Sequence, residues 1–150
     1  VSGEIVQTET LHRAIIEQTA EALVFADRDG LIRLWNAAAE RLYGFAAEEA
    51  LGRSLDLIIP ERFREAHWRG YHAAMSAGVT RRHGMAVPTQ ARRKDGELIY
   101  IEISFNLIRL DDGTVSGAVS VARDITERFL KERADRKSRR QQLADAGGTL

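Results

Sequence analysis

His67 and Met85, eighteen positions apart, are the two residues in this chain whose types could together hold a metal-bearing cofactor. An imidazole nitrogen and a thioether sulfur can ligate haem iron in its low-spin, six-coordinate form. The thioether is the weaker ligand and suits a position that a diatomic gas can take over. His67 falls in PERFREAHWRGYHAAM, which reads as helix, and Met85 follows Gly84 where the chain turns to strand. A flat ring could lie between two such elements. His83 shares a strand face with Met85 if the backbone is already extended there, and is the rival distal ligand. His72 lies about 140° around the helix from His67 and points elsewhere. His12 is expected to face solvent. The bland reading is equally concrete: the histidine donates to a backbone carbonyl, the methionine fills a gap in a core, and no cofactor is bound.

The elements that must position this pair follow from pattern and turn chemistry. Leu11, Ile15 and Ile16 recur at helical spacing and predict a short amphipathic N-terminal helix. Ala22–Ala26 and Leu31–Trp35 read as strands around the turn Asp27-Arg28-Asp29-Gly30. Asn36 is an N-cap and Gly44 a stop for a helix over Ala37–Tyr43, and Ala46–Ala50 supplies a further helical turn. Pro60 opens and Gly78 closes the helix that carries His67. Phe63, Ala66, His67, Gly70, Ala74 and Ala77 form its expected apolar stripe. Met85–Arg93 and Leu98–Arg109 flank the hairpin turn Lys94-Asp95-Gly96, and Asp111-Asp112-Gly113 leads into a strand over Val115–Arg123. Asp124 with Glu127 reads as a capping box opening a polar, basic helix. This order predicts an α+β fold, a five-stranded antiparallel sheet with helices on one face and a flanking helix at each end.

Within that frame the candidate cofactor contacts are Phe63, Gly70 and Tyr71 on the helix, with Ile103, Phe105 and Val119 on the strands. Ile99, Ile101, Ile103 and Phe105 alternate with Tyr100, Glu102 and Ser104, giving one strongly apolar sheet face. Ile58, Ile59 and Leu107 are further cage candidates, each equally at home in a plain core. Of Arg62, Arg64, Arg69, Arg81 and Arg82, one or two could pair with haem propionates.

Bulk composition narrows the function classes. Lys+Arg and Asp+Glu both number 22, so no net charge draws the chain to nucleic acid or a membrane surface. There is no cysteine, which removes thiolate ligation and cysteinyl-flavin photochemistry. No apolar run is long enough to span a bilayer, and no signal peptide pattern opens the chain, so a cytoplasmic module is expected. No nucleophile–base set, phosphate loop or zinc motif appears, which argues against an enzyme. Both ends read as cut from something longer, with residues 1–20 as the N-terminal helix, 21–124 as the core, and 125–150 as a linker helix and tail.

The phrases DRDGLIRLWNAAAERLYGFAAEEALGRSL, RRKDGELIYIEISFNLI and VARDITER, in this order, resemble a PAS domain over roughly residues 11–128. The segment IPERFREAH, then Gly84-Met85, then RKDG, is similar to the direct-oxygen-sensor type of haem PAS domain. That resemblance implies haem b with His67 as proximal and Met85 as distal iron ligand. It also implies oxygen, carbon monoxide, nitric oxide or redox change as the signal. The sequence departs from that type at Val87, where the family carries the arginine that steadies bound oxygen. The resemblance further implies a homodimer and a downstream output domain. The alternatives are a PAS interaction module with no cofactor, dimerising through its N-terminal helix and sheet, or a pocket for a flavin or small metabolite.

Overall fold

The computed structural model describes residues 1–81 and 84–148. Five strands, β1 (Ala22–Asp27), β2 (Ile32–Trp35), β3 (Val87–Arg92), β4 (Leu98–Arg109) and β5 (Val115–Asp124), form one antiparallel sheet in the order β2-β1-β5-β4-β3. Among the described residues, five α-helices accompany them, α1 (Ser2–Gln18), α2 (Ala37–Tyr43), α3 (Ala47–Ala50), α4 (Glu61–Ala77) and α5 (Thr126–Gly147), with a 3₁₀ turn over Leu55–Leu57. This is the expected α+β architecture. Central β5 runs between β1 and β4, so the last strand joins the first hairpin to the second.

Register sorts the sheet into two faces. Val24 opposes Ser120, which opposes Phe105, while Ala122 opposes Ile103, which opposes Val87. Directly opposed residues project to the same side, so these belong to the face that packs on the helices. Trp35, opposite Val24, meets Tyr43 of α2 at 5.3 Å between ring centroids. Phe25 and Val119 oppose one another on the other face.

The β1–β2 turn is held by Asp27, whose Oδ1 accepts from the N–H groups of Asp29 and Leu31, each at 3.0 Å. Leu31 forms only a single bridge to Ser54, so the strand begins at Ile32 rather than Leu31. Asn36 caps α2, its side chain accepting from Ala39 N, and Gly44 ends that helix with φ 81°. Around α5 the expected capping box is replaced. The helix starts at Thr126, with Asp124 Oδ1 accepting its N–H at 2.8 Å, and no Glu127 return bond is present among the described residues. The first turn of α5 sits on β4: Ile125 N donates to Tyr100 O at 2.9 Å, and Tyr100 N donates to Thr126 Oγ1 at 3.0 Å.

α1 falls within the expected 1–20 span, extends well past the stretch over residues 11–16 that shows helical spacing, and buries no residue fully; Ile5, Val6, Leu11 and Ile15 remain exposed. No helix among the described residues is long and apolar enough to cross a membrane.

Candidate functional site

Helix α4 lies across the helix-facing side of the sheet, but not on the stripe expected for it. Tyr71 and Met75 are its buried residues, with Arg64, His67, Trp68 and Ala74 half-buried. Phe63, Ala66, Gly70 and Ala77 are exposed. The inward face is therefore rotated toward the bulky side chains. Trp68, Tyr71 and Met75 each remove far more apolar area from water than Gly70 or an alanine could. His67 lies on both stripes and stays inward.

Two aromatic residues pin the helix. Tyr71 donates its hydroxyl to Asp27 O at 2.5 Å and also reaches Ala26 O at 3.1 Å. Burial pushes that phenol up to about 12, which keeps it a donor. Trp68 donates Nε1 to Asp56 Oδ1 at 2.8 Å, and Arg64 donates to the carbonyls of Ile59 and Asp56.

His67 stands between these anchors, 4.8 Å from the Trp68 ring and 5.7 Å from the Tyr71 ring between centroids. Its Nδ1 is buried with no hydrogen-bond partner among the described residues. Burial pushes the imidazole below its ordinary value. Asp56 pulls it upward and His72 adds a second downward push. The ring is thereby biased to its neutral form, the form that ligates metals. The bland expectation of a bond to a backbone carbonyl is not met at Nδ1.

The remaining candidate contacts divide. Ile103 is buried on the helix-facing side, and Phe105 is on the same side but 36% exposed. Tyr71 is inward, though its hydroxyl is committed to β1. Three others do not face the space beside His67. Val119 projects from the opposite face of the sheet, because the period of a strand puts Ser120 rather than Val119 inward. Gly70 is exposed, and a Cβ there would meet nothing within 4 Å. Phe63, 37% exposed, instead lines a cleft of about 350 Å³ at the β3 edge with Pro88, Gln90, Tyr100 and Phe129.

Met85 also departs from expectation. The strand begins at Val87, not at Met85, and the methionine is 64% exposed in the segment before it. Gly84 has φ 74° and lies against the Asn106 side chain, so the chain turns here instead of extending. His83, the rival ligand, and Arg82 lie outside the described residues.

Residues that the pattern did not single out also shape the site. Asp56 is a half-buried carboxylate serving Trp68 and acting on His67. Its only sequence signal was the Ser54-x-Asp56 turn, in which Ser54 Oγ accepts from Asp56 N.

Residues 10–125 match the family model described as the PAS fold. The chain belongs to the PAS family. Among curated relatives, it is 27% identical over 127 residues to "Sensor protein FixL" of Bradyrhizobium diazoefficiens. It is 29% identical over 93 residues to "Oxygen sensor protein DosP" of Escherichia coli. These alignments cover 85% and 62% of this chain but only 25% and 12% of the relatives' own lengths. Among solved structures, a PAS domain from Colwellia psychrerythraea superposes with a TM-score of 0.69 at 23% identity, covering 80% of this chain and 98% of that one. An RNA-binding light-oxygen-voltage receptor gives the same score and identity over 98% of this chain and 40% of its own. The structural likenesses speak for the fold alone. A PAS domain is a sensory module, and this chain is one.

Proposed function

We propose that this PAS module senses through haem b held by His67. The observation that carries the reading is the inward imidazole of α4, half-buried, biased to neutrality and without a partner for Nδ1. The neutral, half-buried imidazole of His67 would hold the haem iron through one nitrogen, and its second nitrogen could take a hydrogen-bond partner. Haem, when bound, would supply an iron whose ligation answers to a diatomic gas or to oxidation state. The resemblance of the IPERFREAH and Gly84-Met85 segments to haem PAS sensors, and the oxygen-sensor relative, support the same reading.

The protein's own residues have separable tasks. Tyr71 and Trp68 fix the pitch of α4 and hence the direction of His67. Ile103 and Phe105 would offer apolar cover from the helix-facing side of β4. Met85 serves as distal ligand only if the 84–86 segment turns inward. In this reading Met85 is a conditional ligand and His67 the constant one. A signal would pass from β3 and β4 to α5, whose first turn is bonded to Tyr100 of β4. In this reading a further domain carries the output, and a second copy would join through the exposed apolar residues of α1.

A cofactor-free interaction module is the second reading, favoured by the exposure of Met85. A flavin pocket is the third. The chain has no cysteine, so it could not form a cysteinyl adduct.

Absorption spectra of the protein supplied with haemin, ferric and ferrous, separate these readings. A stoichiometric Soret band with resolved ferrous visible bands, lost in His67→Ala, is expected. Met85→Ala should leave haem uptake intact and turn a six-coordinate ferrous spectrum five-coordinate if Met85 ligates. A protein that fails to take up haemin, or a His67→Ala variant that takes it up unchanged, would overturn the haem reading.

A further inference from the structure

At the end of β1 opposite the one that Tyr71 grips, a second cleft of about 260 Å³ opens between α2, the β3–β4 turn and the end of β5. None of its lining residues lies on α4, so it is separate from the His67 site. Its floor is small and apolar: Ala22, Ala38 and Ala122 are all buried, and their short side chains leave the space above them open. Its walls carry three guanidinium groups, from Arg41, Arg93 and Arg123.

The charges around the cleft are unevenly matched. Arg123 donates to Glu102 at 2.6 Å, and Glu21 adds to its negative surroundings. Asp124 also lines the cleft, with Oδ1 accepting from Thr126 N. Arg41 has no ion pair among the described residues. Arg93 donates Nη1 to Leu42 O at 3.0 Å, yet its Nε is buried with no hydrogen-bond partner among the described residues. A buried N–H of a permanently charged group calls for an acceptor, and a carboxylate answers it best.

We propose that this cleft binds a small organic carboxylate, its oxygens on Arg93 and Arg41 and its short apolar chain on the alanine floor. With Arg123 paired to Glu102, the lining's unbalanced charges are Arg41 and Arg93 against Asp124, so a monoanion balances them better than a multiply charged ion. The alanine floor favours a ligand with a hydrocarbon portion over inorganic phosphate. Asp124 also holds the first N–H of α5, so the bound anion stands beside the joint from which that helix leaves.

The test is a ¹H–¹⁵N NMR titration of the 150-residue chain with sodium butyrate, and separately with inorganic phosphate. Saturable shifts at Ala22, Ala38 and Ala122 are expected with butyrate, weakened at least tenfold in Arg93→Gln and in Arg41→Gln. Arg93→Gln also loses a bond to α2; should it unfold, Arg41→Gln, a change on the exposed face of α2, carries the test alone. No saturable shift at the three alanines, or shifts unchanged in the folded arginine variants, would overturn the proposal. Phosphate binding as tightly as butyrate would overturn the organic carboxylate and leave a simple oxyanion site. The His67→Ala variant should bind butyrate as the parent does, which keeps this result independent of haem binding.

Discussion

Trp68 packs against Gly30 so closely that a Cβ on that glycine would stand 2.2 Å from two carbons of the indole ring. Gly30 has φ 78°, so two separate requirements meet at one position: a left-handed backbone and an absent side chain. The turn that joins β1 to β2 thereby becomes the seat for α4, and through Trp68 it bears on the residue next in the chain, His67.

Gly30→Ala should therefore cost about 3 kcal/mol, from the left-handed penalty together with overpacking of the indole. Gly96→Ala is the control. Its φ of 87° is similar, but a Cβ there meets nothing within 4 Å, so only about 1 kcal/mol should be lost. Urea denaturation of the two variants checks this. Equal losses would mean that the Trp68 contact carries no weight.

Asn36, 1% exposed, makes four bonds with one side chain. Its Oδ1 accepts from Ala39 N, capping α2, and from Leu23 N of β1, while Nδ2 donates to Ile16 O and Glu21 O. Asn36→Ala should lose about 3 kcal/mol, well beyond a simple cap, because several backbone groups are left unpaired. Asn36→Asp keeps the acceptor and should lose the Nδ2 bonds to the α1–β1 connection. Thermal unfolding of both variants, with hydrogen exchange at residues 16–23, reads this out.

The root of α5 rests on the outer face of β4. Phe129 stacks on Tyr100 at 4.1 Å between ring centroids, and Glu102 pairs with Arg123 and Arg128. Phe129→Ala should speed amide exchange across residues 126–133 while costing only about 1 kcal/mol overall. Glu102→Gln should have a smaller effect that vanishes at high salt, since both arginines are largely solvent-exposed. If exchange in α5 ignores both changes, the helix is not anchored through β4.

Asp27 links stability to acid. Burial pushes its carboxyl up, but the Arg33 side chain and the backbone N–H groups of Leu31 and Asp29 outweigh this and hold it below 3.8. A carboxylate with a depressed folded value binds fewer protons folded than unfolded. Its stabilisation is fully present above the unfolded value near 3.8 and is lost as pH falls through the folded one. Asp27→Asn should lower stability at pH 7 and flatten the acid limb below about pH 4. A parallel downward displacement at every pH would show that Asp27 acts without its charge.

Much of the fold could be read along the chain because its signals are local. The hairpin turn at Lys94-Asp95-Gly96 appears as written, with Asp95 accepting from Glu97 N and Gly96 at φ 87°. Asn36 and Gly44 mark the two ends of α2 to the residue. The inward histidine was also legible, since His67 lies on an inward face under either choice of stripe. The stripe itself was misjudged, because counting small residues as apolar gave Gly70 and Ala77 the weight that burial assigns to Trp68, Tyr71 and Met75. Val119 was misplaced for a related reason. In a strand buried on one side and half-covered on the other, valine and alanine give no alternation to count.

What the sequence by itself determined is the set of elements, their order and the residue type offered at each candidate position. Turn chemistry and periodicity act over a few residues, and those residues are adjacent in the chain. Only the tertiary structure decided which face each element shows and who meets whom: Trp68 on Gly30, Tyr71 on Asp27, Tyr100 under Phe129, and Met85 outside its expected strand. Those outcomes depend on strand register and on competition among bulky side chains for one buried surface. Neither is written in any single segment.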